Sequence, residues 1–176
     1  VQPTHYENYR LLSVVKENNV TITGGNLIGD RYEHDYSIVG EHAQGALFQA
    51  VGATNVIVDG VYIAECAGDG FRTFATALRN PDGSLPAGVY GCDNITIKNS
   101  IIHANRRNNF SIVDGQNIYI ENNTISNAGD GNTGNPHDGV LPKCGIDIEP
   151  HSVRAVSYKH RNRPTKREDE SSEEAE

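Results

Sequence analysis

Asn117-Ile-Tyr-Ile-Glu-Asn-Asn-Thr-Ile125 is the stretch from which the fold can be read. Its pattern is Asn, aliphatic, any, aliphatic, any, Gly or Asn, any, any, aliphatic. The same nine positions recur from Asn19 (NVTITGGNL), Asn55 (NVIVDGVYI) and Asn94 (NITIKNSII). Asn94 and Asn117 are 23 residues apart, whereas the other intervals are 36 and 39 and leave room for inserted segments. A period of about 20–25 residues with alternating apolar positions is the pattern of a β-solenoid, in which each unit buries its apolar face only against its neighbours.

The spacing sets the geometry of each repeat. Aliphatics at positions 2 and 4 share one strand face because successive side chains alternate. The Gly or Asn at position 6 accepts the left-handed conformation of a sharp turn. A second short strand ends in Leu27, Ile63, Ile102 or Ile125, and a third opens at Gly45-Ala-Leu-Phe, Gly70-Phe-Arg-Thr, Asn109-Phe-Ser-Ile and Gly145-Ile-Asp-Ile. Three strands per coil stacked at about 4.8 Å predict an all-β chain, a parallel β-helix of about four to five coils. The recurrent Asn94, Asn99, Asn117 and Asn122 are expected to stack as internal turn ladders. Domain organisation follows: a β-helix over 1–150, with inserts near 29–44, 74–92 and 128–144, then a charged tail over 151–176 expected to be disordered.

Composition agrees with thin coils: 18 Gly, no Trp and no Met. No stretch reaches the roughly 20 apolar residues of a membrane span. A signal peptide is not recognisable, and an opening Val1 suggests a processed chain or a piece of a longer one. Cys66, Cys92 and Cys144 lack metal-ligand spacing and are expected to be buried, inert thiols. Residues 1–150 hold nine Lys and Arg against 17 Asp and Glu, so the whole formal charge of −8 resides there. An acidic body argues against nucleic-acid binding and gives no reason to expect a membrane partner. The repeat pattern stops at Pro150, and an open strand edge invites pairing. Further coils, a partner such as two more copies in a trimer, or the tail would cover it.

The repeats, together with GDRYEHD (29–35), GEH (40–42), AGDGF (67–71) and GIDIEP (145–150), resemble the right-handed parallel β-helix proteins of the pectate-lyase-like superfamily, in its bacterial and phage-borne branch. The resemblance covers roughly residues 15–150. It implies a right-handed, single-stranded β-helix and activity on polysaccharides, by lyase, hydrolase or epimerase chemistry. Neither a polygalacturonase-like set of paired aspartates with HG and RIK nor a DPH epimerase motif is present.

The third strand is where chemistry is expected. Alternation turns Phe48, Phe71, Phe110, Ile112, Ile146 and Ile148 inward. It aligns Leu47, Arg72, Ser111 and Asp147 as one outward column, and Gln49, Phe74, Val113 and Glu149 as a second. The inserts flank this face and predict an elongated groove suited to a polymer. Asp69, Asp147 and Glu149 are the candidate acids and bases. Coil spacing places Asp69 and Asp147 roughly 10 Å apart, near the carboxyl separation of an inverting glycosidase. Arg72 completes the candidate catalytic set, able to neutralise a uronate. Substrate-binding candidates are His34, His42 and His137 on the inserts, with Arg106, Arg107 and Asn108 beside the strand. Asp30, Asp35 and Glu41 are a weak candidate for Ca²⁺, with no defined loop spacing behind them; no cofactor is required and no other metal site is expected. Cleavage of an extended polysaccharide, outside the cytoplasm or on a virion, is the leading expectation. A non-catalytic glycan-binding or tail-fibre solenoid, or a fragment of a larger enzyme, is the alternative.

Overall fold

The computed structural model describes residues 9–37 and 44–150, and the backbone of 156–161. Among these residues the chain is all-β. The strands are β1 (Arg10–Val15), β2 (Asn18–Thr23), β3 (Asn26–Ile28), β4 (Ala46–Val51), β5 (Thr54–Asp59), β6 (Tyr62–Ala64) and β7 (Asp69–Phe74). They continue as β8 (Asp93–Lys98), β9 (Ile101–His103), β10 (Phe110–Ile112), β11 (Gly115–Glu121), β12 (Thr124–Ser126), β13 (Ile146–Ile148) and β14 (Val156–Arg161). No helix of the described residues is long and apolar enough to cross a membrane.

The strands form three parallel sheets, ordered β1-β4-β7-β10-β13, β2-β5-β8-β11-β14 and β3-β6-β9-β12. Each sheet takes about every third strand in chain order and none closes into a barrel, which is the arrangement of a parallel β-helix-like solenoid. Positions 2 and 4 of the repeat fill the interior. Val56, Val58, Ile95, Ile97, Ile118 and Ile120 are fully buried, while Val20 and Ile22 of the terminal strand are only half covered. Phe48, Phe71 and Phe110 stack along the first sheet, with ring centroids 4.8 and 5.5 Å apart. At the far end, where no further strand pairs with β13 among the described residues, Ile148 is 37% exposed.

The corners explain the asparagines. Gly24, Gly60, Asn99 and Asn122, at position 6, all have positive φ between 52° and 67°. So do Asn19, Asn55, Asn94 and Asn117 at position 1, a second left-handed corner that the repeat pattern does not announce. Asparagine tolerates this region because its short polar side chain finds local hydrogen bonds. The side chains do form ladders, Asn122 to Asn99 at 2.7 Å, Asn99 to Asp59 at 2.8 Å and Asn94 to Asn55 at 2.7 Å, but these ladders lie on the surface. The buried asparagines are Asn105, Asn108 and Asn109, in the loop before β10, where their amides satisfy loop backbone.

Three further expectations change. Within 151–176, the segment 156–161 forms β14 and pairs with β11, so this part of the expected tail is a strand; the remaining tail residues lie outside the described ones. The sheet carrying the third strand begins one strand earlier, at β1. Cys66 and Cys92 are buried, but Cys144 is partly exposed.

Candidate functional site

Register corrects the outward columns. Gln49, not Leu47, aligns with Arg72, and the column continues through Ser111 to Asp147. Phe74 aligns with Val51 rather than Gln49. The shift is two residues, so every side chain keeps its face; Phe48 and Phe71 remain inside and face each other across the two strands. The expected open trough is also modified. β4 and β7 are buried on both faces, and Leu47, Gln49, Arg72 and Ser111 are all covered. The open part is a cavity of about 300 Å³ bounded by Arg10, Gln44, Gln49, Arg72 and Phe74, together with the partly exposed Asp147 and Glu149.

Asp69 is the hub. It is fully buried and accepts hydrogen bonds from Arg72 Nε and Nη2 (3.0 and 2.6 Å), Arg107 Nη1 (3.0 Å), Ser111 Oγ (2.8 Å) and the Asn108 backbone N–H (3.1 Å). A carboxylate so placed is desolvated and compensated by two guanidinium groups, the condition for burying a charge. It holds the arginines in position and does not meet solvent, so it cannot flank a glycosidic bond with Asp147 as the coil arithmetic suggested.

Arg107 carries the network to the surface. Its Nη2 donates to both oxygens of Glu149 at 3.1 and 3.2 Å. Burial opposes the Arg107 charge, but Asp69 and Glu149 outweigh it and raise its pKa. Asn108 donates Nδ2 to Asp147 Oδ2 at 3.0 Å and to Ser111 Oγ at 3.0 Å, and its own carbonyl accepts the Cys144 N–H. Glu149 titrates above its ordinary range because it is partly desolvated and because the neighbouring Asp147 carboxyl adds to the effect. Asp69, Arg72, Arg107, Asn108, Ser111, Asp147 and Glu149 thus form one connected cluster on β7, the loop before β10, β10, and β13 with the residue that follows it.

The other candidates lie in a second cluster. Arg106 turns away from Arg107: its Nε donates to the carbonyls of Pro136 and Asp138 (3.2 and 3.1 Å), and its guanidinium lies 4.3 Å from the Tyr36 ring centroid. His34 is buried with Nδ1 2.8 Å from Asp30 Oδ2 and its ring 4.7 Å from that of Tyr36. His137 places Nδ1 3.0 Å from the Arg31 carbonyl. His42 and Glu41 lie outside the described residues. Asp30 is committed to His34 and Asp35 to Ser37, and no group of three possible metal ligands occurs among the described residues.

Arg31 is the residue that sequence reasoning passed over. It is buried, and its guanidinium donates to the carbonyls of His137 (2.9 Å), Ala104 (2.7 Å) and Asp130 (2.5 Å), stitching two inserts together. Within GDRYEHD only its position in an insert hinted at such a role. Arg79, likewise unremarked, forms a two-pronged ion pair with Asp114 beside Phe74 and Leu78.

Two curated proteins of Bacillus subtilis (strain 168) are similar to this chain. The SPbeta prophage-derived uncharacterized protein YorA is 30% identical over 165 residues, 91% of this chain and 26% of its own length. The uncharacterized protein YclG is 33% identical over 161 residues, 90% of this chain and 26% of its own length. No family model matches. No solved structure matches. The chain spans about a quarter of the length of the curated relatives it matches.

Proposed function

We propose that the chain is a right-handed, single-stranded parallel β-helix of four to five coils that cleaves an extended polysaccharide, with Asp147 and Glu149 as the acid–base pair. The observation that carries this reading is that Asn108 Nδ2 gathers these two carboxyls, 3.0 Å from Asp147 Oδ2 and 3.5 Å from Glu149 Oε1, on the exposed end of a rigid polar network, where Glu149 titrates above its ordinary range. Two carboxyls held near one another disfavour ionising together, so the one whose pKa is raised is suited to donate a proton. Glu149 protonates the leaving oxygen, and Arg107 beside it stabilises the carboxylate that remains. Asp147, on the same Asn108 amide, is the partner carboxyl.

Hydrolysis is favoured over uronate elimination because the arginines of this cluster are already engaged. Arg72 donates to Asp69 and to the Gln44 carbonyl, and Arg107 to Asp69 and Glu149. An eliminating enzyme needs a cation or metal left over for the substrate carboxylate. Such a polymer is met outside the cytoplasm or from a virion, where further coils or a trimer would extend the groove.

The second reading is a non-catalytic solenoid of a tail fibre or other surface structure. Two observations favour it: the internal saturation of Asp69, which a purely structural polar core also shows, and the prophage origin in one relative's name. Reducing-end release from a panel of neutral and uronate-containing polysaccharides separates the two. Cleavage by the parent, falling at least about 100-fold in folded Asp147→Asn and Glu149→Gln, is the expected result. No release from any substrate would overturn the enzymatic reading, and release indifferent to both variants would move the centre elsewhere.

A further inference from the structure

Tyr32 stands out among the exposed aromatic side chains because its surroundings are so firmly braced. Its ring is 50% exposed. Behind it lies the buried Arg31, guanidinium carbon 5.2 Å from the ring centroid, fixed by three carbonyl acceptors. His137 stands at its edge, centroids 6.1 Å apart at 55°, and is held by the Arg31 carbonyl, which also accepts the Tyr36 hydroxyl at 2.9 Å. The Tyr36 ring packs against His137 at 5.5 Å and beneath Arg106. One face of Tyr32 is therefore filled by protein, while half of its surface stays in water.

We propose that this open face of Tyr32 is a stacking subsite for a pyranose ring, flanking the Asp147–Glu149 pair; the assignment rests on the polysaccharide reading above. A pyranose has an apolar face of C–H groups and a rim of hydroxyls. An aromatic ring with polar groups around its edge is complementary to it. Here the rim is the Tyr32 hydroxyl and His137, whose Nδ1 is taken and whose Nε2 has no hydrogen-bond partner among the described residues. Preorganisation matters because a side chain already held in place loses little entropy on binding. The chain also ties the platform to the carboxyl pair. Arg106 of the aromatic cluster precedes Arg107 of the carboxyl cluster, and the insert bearing His137 ends at Cys144, whose N–H binds the Asn108 that holds Asp147.

The test is affinity electrophoresis of the full chain through gels containing each polysaccharide of the same panel, with circular dichroism melting as the folding control. The parent and Tyr32→Phe should be retarded by at least one polymer, and Tyr32→Ala should bind about tenfold more weakly with its melting unchanged. Equal retardation of Tyr32→Ala, or a parent retarded by no polymer, overturns the subsite. Loss in Tyr32→Phe as well would place the contact on the hydroxyl and overturn stacking. Tyr32-dependent retardation without reducing-end release would support the subsite while removing the cleavage reading.

Discussion

Glu149 carries the most informative titration of the molecule. Burial and the neighbouring Asp147 carboxyl raise its pKa, so the folded state holds this proton more tightly than the unfolded chain. Its contribution to stability is therefore present at acid pH and is lost as pH rises through the raised value. Asp147→Asn removes the neighbouring carboxyl that helps to raise it. The Glu149 carboxyl resonance, followed by ¹³C NMR, should then titrate at lower pH than in the parent; an unchanged midpoint would mean the two carboxyls do not communicate. Asp69 matters through its partners. Asp69→Asn leaves Arg72 buried with only the Gln44 carbonyl and Arg107 with only Glu149, and should cost about 3–5 kcal/mol in urea unfolding. The candidate residues were legible because Asp147 interrupts an inward-facing aliphatic strand and Asp69 sits between two glycines. Their division of labour was not, because it depends on which carboxylate the two arginines reach, and that is set by loop geometry rather than by spacing.

At the scale of elements, the repeat was read correctly where one physical rule acts alone. Alternation placed the strand faces, and left-handed corners followed from Gly or Asn at position 6. The register of β4 against β7 was misread by two residues because the Gly45 and Gly70 openings look equivalent, whereas stacking of Phe48 on Phe71 determines the pairing. That stack is testable: Phe71→Ala should destabilise by about 3–5 kcal/mol, the range for emptying a buried aromatic site. The corners give a subtler test. At Asn99, with φ of 52°, substitution by Gly should be tolerated, while Ala should cost about 1 kcal/mol from the left-handed backbone alone. β14 escaped notice because the aliphatic repeat ends before it and basic residues crowd its sequence. Chains ending at residue 155 should lose amide protection in β11, measured by hydrogen exchange, since its outer backbone groups would then face water.

Viewed whole, the molecule is a stack whose corners obey different rules. Between the second sheet and the third, the connection is two residues every time: 24–25, 60–61, 99–100 and 122–123. Between the third sheet and the first it varies freely: 29–45, 65–68, 104–109 and 127–145. The acidic body adds a property of the whole surface. A uronate polymer should bind more tightly as salt screens the net charge of −8, while a neutral glycan should be indifferent, and retardation at two ionic strengths distinguishes them. The constant corner has a consequence for how such a chain can change over time. One residue added there would turn the following strand inside out, so viable length variation is channelled to the other two corners, chiefly the one that carries Tyr32, with one long insert at 75–92 on the other. New specificities can then arise by exchanging those loops, with the stack beneath them untouched.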